Sequence, residues 1–217
     1  MQNNDRFNWQ NFYKAPLVGI IRGLEMEEIM QIAKVYSSAG LYTLEITMNT
    51  QNAAKKISAL RREFPHLNVG AGTVCTMQDL ETALEANAQF IVTPIIDEEV
   101  IKSCVGHGIP IFPGAFTPSE IYRAWALGAS AVKVFPATQL GPKYIKDVLA
   151  PLNDIKLVPT GNISKENIKS FFEAGAVGAG LGSSLINKKL LAAKDYEGLK
   201  QYFISFQREI EDFIPNR

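Results

Sequence analysis

Short apolar runs rich in β-branched residues alternate along this chain with charged, amphipathic stretches of helical length. The apolar runs fall at residues 17–23, 43–49, 68–74, 90–94, 110–115, 131–137, 156–161 and 176–183. Helical patterns occupy 26–38, 51–63, 77–86, 98–107, 118–127, 142–149 and 165–174. Residues 4–14 predict an extra N-terminal helix, and residues 196–213 an eighth outer helix. Thr76, Thr117 and Ser164 stand where helices should begin, with hydroxyls for the free N–H groups. Gly40, Gly128 and Gly175 stand where helices should stop, in the left-handed conformation that glycine adopts without strain.

Strand–helix alternation implies parallel strands joined by right-handed crossovers. Eight such units in 217 residues fit an α/β fold of the small (β/α)8 TIM-barrel type with an extra N-terminal helix. The expectation is one domain over residues 1–217, with the helix in 1–15 and the barrel in 16–217. An open doubly wound sheet is the alternative, but no dinucleotide-binding fingerprint follows the first run.

The chain has 22 basic and 22 acidic residues, no net charge and 47% hydrophobic residues, which excludes disorder and leaves no nucleic-acid footprint. Every apolar stretch is soon broken by a charge, Pro or Gly, so no membrane span is expected. The polar first residues lack a secretory pattern, and two cysteines, Cys75 and Cys104, make no disulfide framework. These features predict a cytoplasmic protein.

In a barrel the active site is built at the C-terminal ends of the strands, so charges inside apolar strands draw attention. Lys133 lies between Val132 and Val134, and alternation turns it inward with Ala131 and Phe135. There it is either a structural ion-pair partner or a nucleophilic amine in a dry pocket. Glu45 faces inward with Thr47 and Asn49, as a buried salt-bridge partner or a general acid/base. Arg22 ends the first strand as a forked donor for an anion or as a surface cap. Thr73 adds an inward hydroxyl. Gly161-Asn162 after the seventh strand and residues 178–184 after the eighth supply a glycine-rich anion site, including Gly182 and Ser183. His66 and His107 have no metal-ligand spacing, so no metal is expected. Cys75 has no histidine near it to activate a thiolate. Phe112, Phe116 and Phe135 read as packing or pocket wall, and Trp9 and Trp125 as helix-face packing.

The ordered segments LEITMNT, VGAGTV, FIVTP, FPGAFTPSE, VKVFPA and PTGNIS, spread from Pro16 to Ile186, resemble the 2-keto-3-deoxy-6-phosphogluconate (KDPG) aldolase / 4-hydroxy-2-oxoglutarate (KHG) aldolase family. The resemblance implies a cofactor-free class I aldolase on a (β/α)8 barrel, commonly a homotrimer. It makes Lys133 the Schiff-base lysine and Glu45 the acid/base. It sets Arg22, Thr73, Asn49, Pro94, Phe135 and Thr160 around substrate and pyruvate, and Gly161, Asn162, Gly182 and Ser183 around a phosphate. Two positions depart from the family pattern. Asn49 stands where phosphogluconate-type members carry an arginine, as in the branch acting on the C4 epimer, 2-keto-3-deoxy-6-phosphogalactonate. Asn162 stands where many members have a second glycine. A phosphosugar isomerase using Glu45 as base, or a sugar-acid-phosphate binding protein without turnover, are the competing readings that the fold alone allows.

Overall fold

A computed structural model describes residues 6–214. The order is α1 (Trp9–Lys14), β1 (Leu17–Ile21), α2 (Met26–Ser38), β2 (Thr43–Thr47), α3 (Ala53–Glu63), β3 (Asn68–Gly72), α4 (Met77–Glu85), β4 (Ile91–Val92), α5 (Glu98–Gly106), β5 (Ile111–Phe112) and β6 (Gly114–Ala115). It continues with α6 (Pro118–Ala126), β7 (Val132–Val134), α7 (Gly141–Leu149), β8 (Leu157–Pro159), α8 (Ile168–Glu173), β9 (Ala179–Leu181), α9 (Lys188–Ala192) and α10 (Tyr196–Glu209). Every pairing is parallel.

The strands form a six-stranded sheet in the order β5-β4-β3-β2-β1-β9 and a three-stranded sheet β6-β7-β8. The expected uninterrupted ring of eight strands is therefore met in part, as a curled parallel α/β fold. The expected strand at 110–115 is split at Pro113, which has no N–H for the ladder; its carbonyl still accepts from Lys133 N at 2.9 Å. Between β8 and β9, Val177 N donates to Leu157 O at 3.0 Å, and Thr160 bridges Gly180.

Alternation along the strands sorts side chains into two layers. Leu44, Ile46, Val132 and Val134 pack outward into the main core beneath the helices, whereas Val18, Phe90, Val92, Phe112, Ala131 and Val158 form a separate inner cluster with Phe7 and Phe12. The N-terminal segment packs into this cluster: Phe7 meets Phe90 at 5.2 Å between ring centroids, and Phe12 meets Phe112 at 6.1 Å. Trp9 packs there too, and Trp125 against the main core, but Phe116 is exposed rather than packed.

Thr76 and Thr117 cap α4 and α6 in reciprocal capping boxes, and Gly40, Gly128 and Gly175 have φ of +79°, +96° and +101°. Ser164 does not cap α8. That helix starts at Ile168, and Ser164 N donates instead to Asn167 Oδ1 at 2.9 Å, so residues 164–167 turn before the helix begins. The N-terminal helix is α1, begun by Asn8; the expected start at residue 4 lies outside the described residues. The last expected helix ends at Glu209 and is followed by a 3-10 turn, and α9 has no counterpart in the sequence pattern. Among the described residues no helix is long and apolar enough to cross a membrane.

The inner aromatic cluster makes one prediction. Phe12→Ala opens a cavity beside Phe7 and Phe112 and should lower the unfolding free energy by about 3–5 kcal/mol, read from urea denaturation midpoints.

Candidate active site

Lys133 on β7 and Glu45 on β2 are 7% and 1% exposed, and both line a cavity of about 360 Å³. Its walls also carry Arg22, Phe135, Thr160, Gly161, Asn162, Gly182 and Ser183, so the loops after β1, β7, β8 and β9 converge on the two buried groups. The Lys133 ammonium sits 4.6 Å from the centroid of the Phe135 ring, whose face attracts a cation. Room for the acid is made by β3, because a side chain at Gly72 would collide with the Glu45 carboxyl. Gly180 is likewise required to be small beneath Thr160.

Burial pushes the Glu45 carboxyl up to about 7, against the opposing pull of the Lys133 and Arg22 charges. Burial also lowers the Lys133 amine, while the Glu45 charge works to raise it and Arg22 to lower it further. The two groups therefore sense one another, yet no nitrogen–oxygen contact within 4.0 Å joins them. Among the described residues Glu45 Oε2 has no hydrogen-bond partner. An amine whose charged form burial disfavours, beside a carboxyl pushed up to about 7, suits nucleophilic attack with general acid/base assistance.

The rim is suited to anions. Among the described residues Glu45 is the only acidic one lining this cavity, against Arg22, Lys133 and Lys188. Gly161 has φ +107°, and Asn162 keeps a left-handed φ of +54°, so asparagine retains there a backbone form that glycine would favour. Ser184, within the expected stretch 178–184, also lines the cavity, as do Lys188, Leu24, Ile20 and Ile186, which were not singled out from the sequence. Strand alternation from the outward Ile21 would have found Ile20. Lys188 carried no comparable signal, because α9 was not expected.

Three expected site residues do not line the cavity. Asn49 is exposed in a turn beyond the end of β2, so strand alternation no longer directs it inward. Pro94 lies past β4, where its backbone leaves no space for a side chain at Gly114. Thr73 follows β3 with a left-handed φ of +57°, a costly backbone for a β-branched residue and one seen where function holds strain. Cys75 is half-buried; burial and the nearby Asp79 raise its thiol while the Lys133 charge opposes this. Among the described residues no three His, Cys, Asp or Glu side chains gather as a metal site.

Linkage gives Glu45 a pH signature. A carboxyl raised from 4.5 to about 7 adds stability that is fully present below pH 4.5 and lost as pH rises through 7. Glu45→Gln should thus be more stable than the parent at pH 8, by on the order of 3 kcal/mol, with the gap closing toward pH 4. Urea melts across this range measure it, and a gap independent of pH would contradict the raised carboxyl.

Known proteins share this architecture. A family model described as KDPG and KHG aldolase matches residues 10–202. The 2-dehydro-3-deoxy-phosphogluconate aldolase of Treponema pallidum is 37% identical over 184 residues, 84% of this chain and 88% of that protein. The 2-dehydro-3-deoxy-6-phosphogalactonate aldolase of Escherichia coli K12 is 36% identical over 179 residues, covering 82% and 86%. A crystal structure of KDPG aldolase from Legionella pneumophila, with pyruvate captured as a covalent carbinolamine, superposes with a TM-score of 0.83 at 25% identity, covering 90% of this chain and 96% of that one. With its strand-borne Lys133 and Glu45 and a family match along most of its length, the chain belongs to the KDPG and KHG aldolase family.

Proposed function

We propose that this protein is a metal-independent class I aldolase that reversibly cleaves 2-keto-3-deoxy-6-phosphogluconate to pyruvate and glyceraldehyde 3-phosphate. 4-Hydroxy-2-oxoglutarate, giving pyruvate and glyoxylate, is a shorter substrate of the same chemistry. The observation that carries the reading is the pair of buried ionisable groups, Lys133 and Glu45, in one cavity with a cationic and glycine-rich rim.

Breaking C3–C4 of a 2-oxo-4-hydroxy acid leaves an electron pair on C3. The Lys133 amine attacks the C2 carbonyl, and protonated Glu45 supplies the proton with which the carbinolamine hydroxyl leaves as water. The resulting iminium takes up the C3–C4 electrons as a neutral enamine, while the Glu45 carboxylate accepts the C4 hydroxyl proton. Glu45 then returns a proton to C3, and hydrolysis of the iminium frees pyruvate and Lys133. A carboxyl pushed up to about 7 exchanges protons in both directions near neutral pH. Arg22, Thr73, Asn49, Pro94, Phe135 and Thr160 surround the pyruvyl portion and chain of the substrate in this reading. Gly161, Asn162, Gly182 and Ser183 receive the phosphate through backbone N–H groups.

The reading includes an architecture. The two sheets make one closed eight-stranded barrel, with β5 and β6 the halves of a strand broken at Pro113, and the chain is a single domain. It works as a homotrimer in the cytoplasm, with the exposed Ile95, Phe116 and Tyr122 as apolar surface available for assembly. The second reading is 2-keto-3-deoxy-6-phosphogalactonate as substrate, favoured by Asn49 and by the relative of that name.

Borohydride added with pyruvate should inactivate the enzyme and leave one reduced pyruvyl group on the peptide carrying Lys133, as read by mass spectrometry. Lys133→Met should abolish trapping, and Glu45→Gln should lower kcat by about 10²–10⁴-fold. An unmodified Lys133 peptide in the wild-type protein overturns the Schiff-base reading. Assayed on both phosphorylated C4 epimers, Asn49→Arg should shift the ratio of kcat/KM toward the gluconate form; an unchanged ratio removes Asn49 from epimer choice.

A further inference from the structure

Lys56 is a buried cation that the chemistry at Lys133 does not use. It lies in the first turn of α3 and is 4% exposed. Both placements are unfavourable in themselves, since burial penalises an ammonium and the positive end of a helix dipole repels it. Among the described residues no carboxylate lies within 4.0 Å of it. Its Nζ donates instead to the carbonyl oxygen of Leu24 at 2.8 Å, across 32 residues of sequence.

The neighbouring peptide is held from the same direction. Gly23 N donates to Thr50 Oγ1 at 3.1 Å, and the Thr50 hydroxyl shares a hydrogen bond of 3.0 Å with Thr47 Oγ1. Residues 22–25 lie outside regular structure between β1 and α2, and Gly23 has φ +66°. This loop is thus fastened at two successive residues by side chains of the β2–α3 unit. The same loop presents Arg22 and Leu24 to the cavity that holds Lys133 and Glu45.

We propose that Lys56, together with Thr50, is a positioning residue that straps the β1–α2 loop to α3 and so holds Arg22 ready for an anionic group of the substrate. The inference rests on the aldolase reading above. A tethered loop has already lost the freedom that a loose one would surrender at each binding event, so the strap acts on substrate affinity. Lys133 stands on β7 and Glu45 within β2, outside the tethered loop, so loosening the strap leaves both groups in place on their strands.

Lys56→Met keeps the aliphatic stem and removes the donor, and Thr50→Val removes the other tether. Each should raise KM for the phosphorylated substrate by about ten-fold, leaving kcat within about two-fold, and trapping of Lys133 by saturating pyruvate and borohydride should be unchanged. Thermal unfolding reports the folded fraction, and a variant that does not fold leaves its companion to decide. An unchanged KM in a folded variant overturns the strap, as does a fall in kcat and trapping in proportion to the folded fraction. Failure of the wild-type protein to be trapped by pyruvate strikes at the aldolase reading instead, so the two outcomes are separable.

Discussion

The structure turns on keeping an amine and a carboxyl inside an apolar sheet without letting them neutralise each other in a tight ion pair. Water would hold Lys133 fully protonated and Glu45 fully ionised. Burial pushes both toward their neutral forms, and their mutual attraction pushes back. Burial is the largest influence on each. A direct contact would tip the balance toward a salt bridge, which the separation beyond 4.0 Å avoids.

Much of the fold serves that separation. Glycines on β3 and β9 clear the space that Glu45 and Thr160 occupy. The inner cluster of Phe7, Phe12, Phe90 and Phe112 fills the opposite part of the strand interior with hydrocarbon. The cavity is left to the side where the loops carry Arg22, Gly161, Asn162, Gly182 and Ser183. The protein as a whole has no net charge, yet among the described residues this cavity is lined by three basic side chains and one acidic one. That local placement of charge suits an anionic ligand, independently of overall composition.

The strands and helices were legible because each repeats a short-range pattern. Outward Leu44, Ile46, Val132 and Val134 leave Glu45 and Lys133 only the inward direction, and periodicity alone shows this. Thr76 and Thr117 announced their helices because a cap needs only residues a few positions apart. Ser164 misled for the same reason: the local signal was present, but residues 164–167 form a turn first. Asn49 lies in a turn two residues past the end of β2, where alternation no longer fixes its direction.

By itself, then, the order of residues determined the α/β alternation, the two-layer sorting of strand side chains and the identity of the two ionisable groups on the inner face. These follow from local geometry, in which each residue's direction is set by its immediate neighbours. Only the tertiary structure decided that the sheet is interrupted at Pro113, that Lys188 joins the cavity while Asn49 is exposed in the turn after β2, and that Lys56 reaches Leu24. Those outcomes depend on which distant segments meet and on how much water remains between them, and no spacing along the chain encodes either quantity.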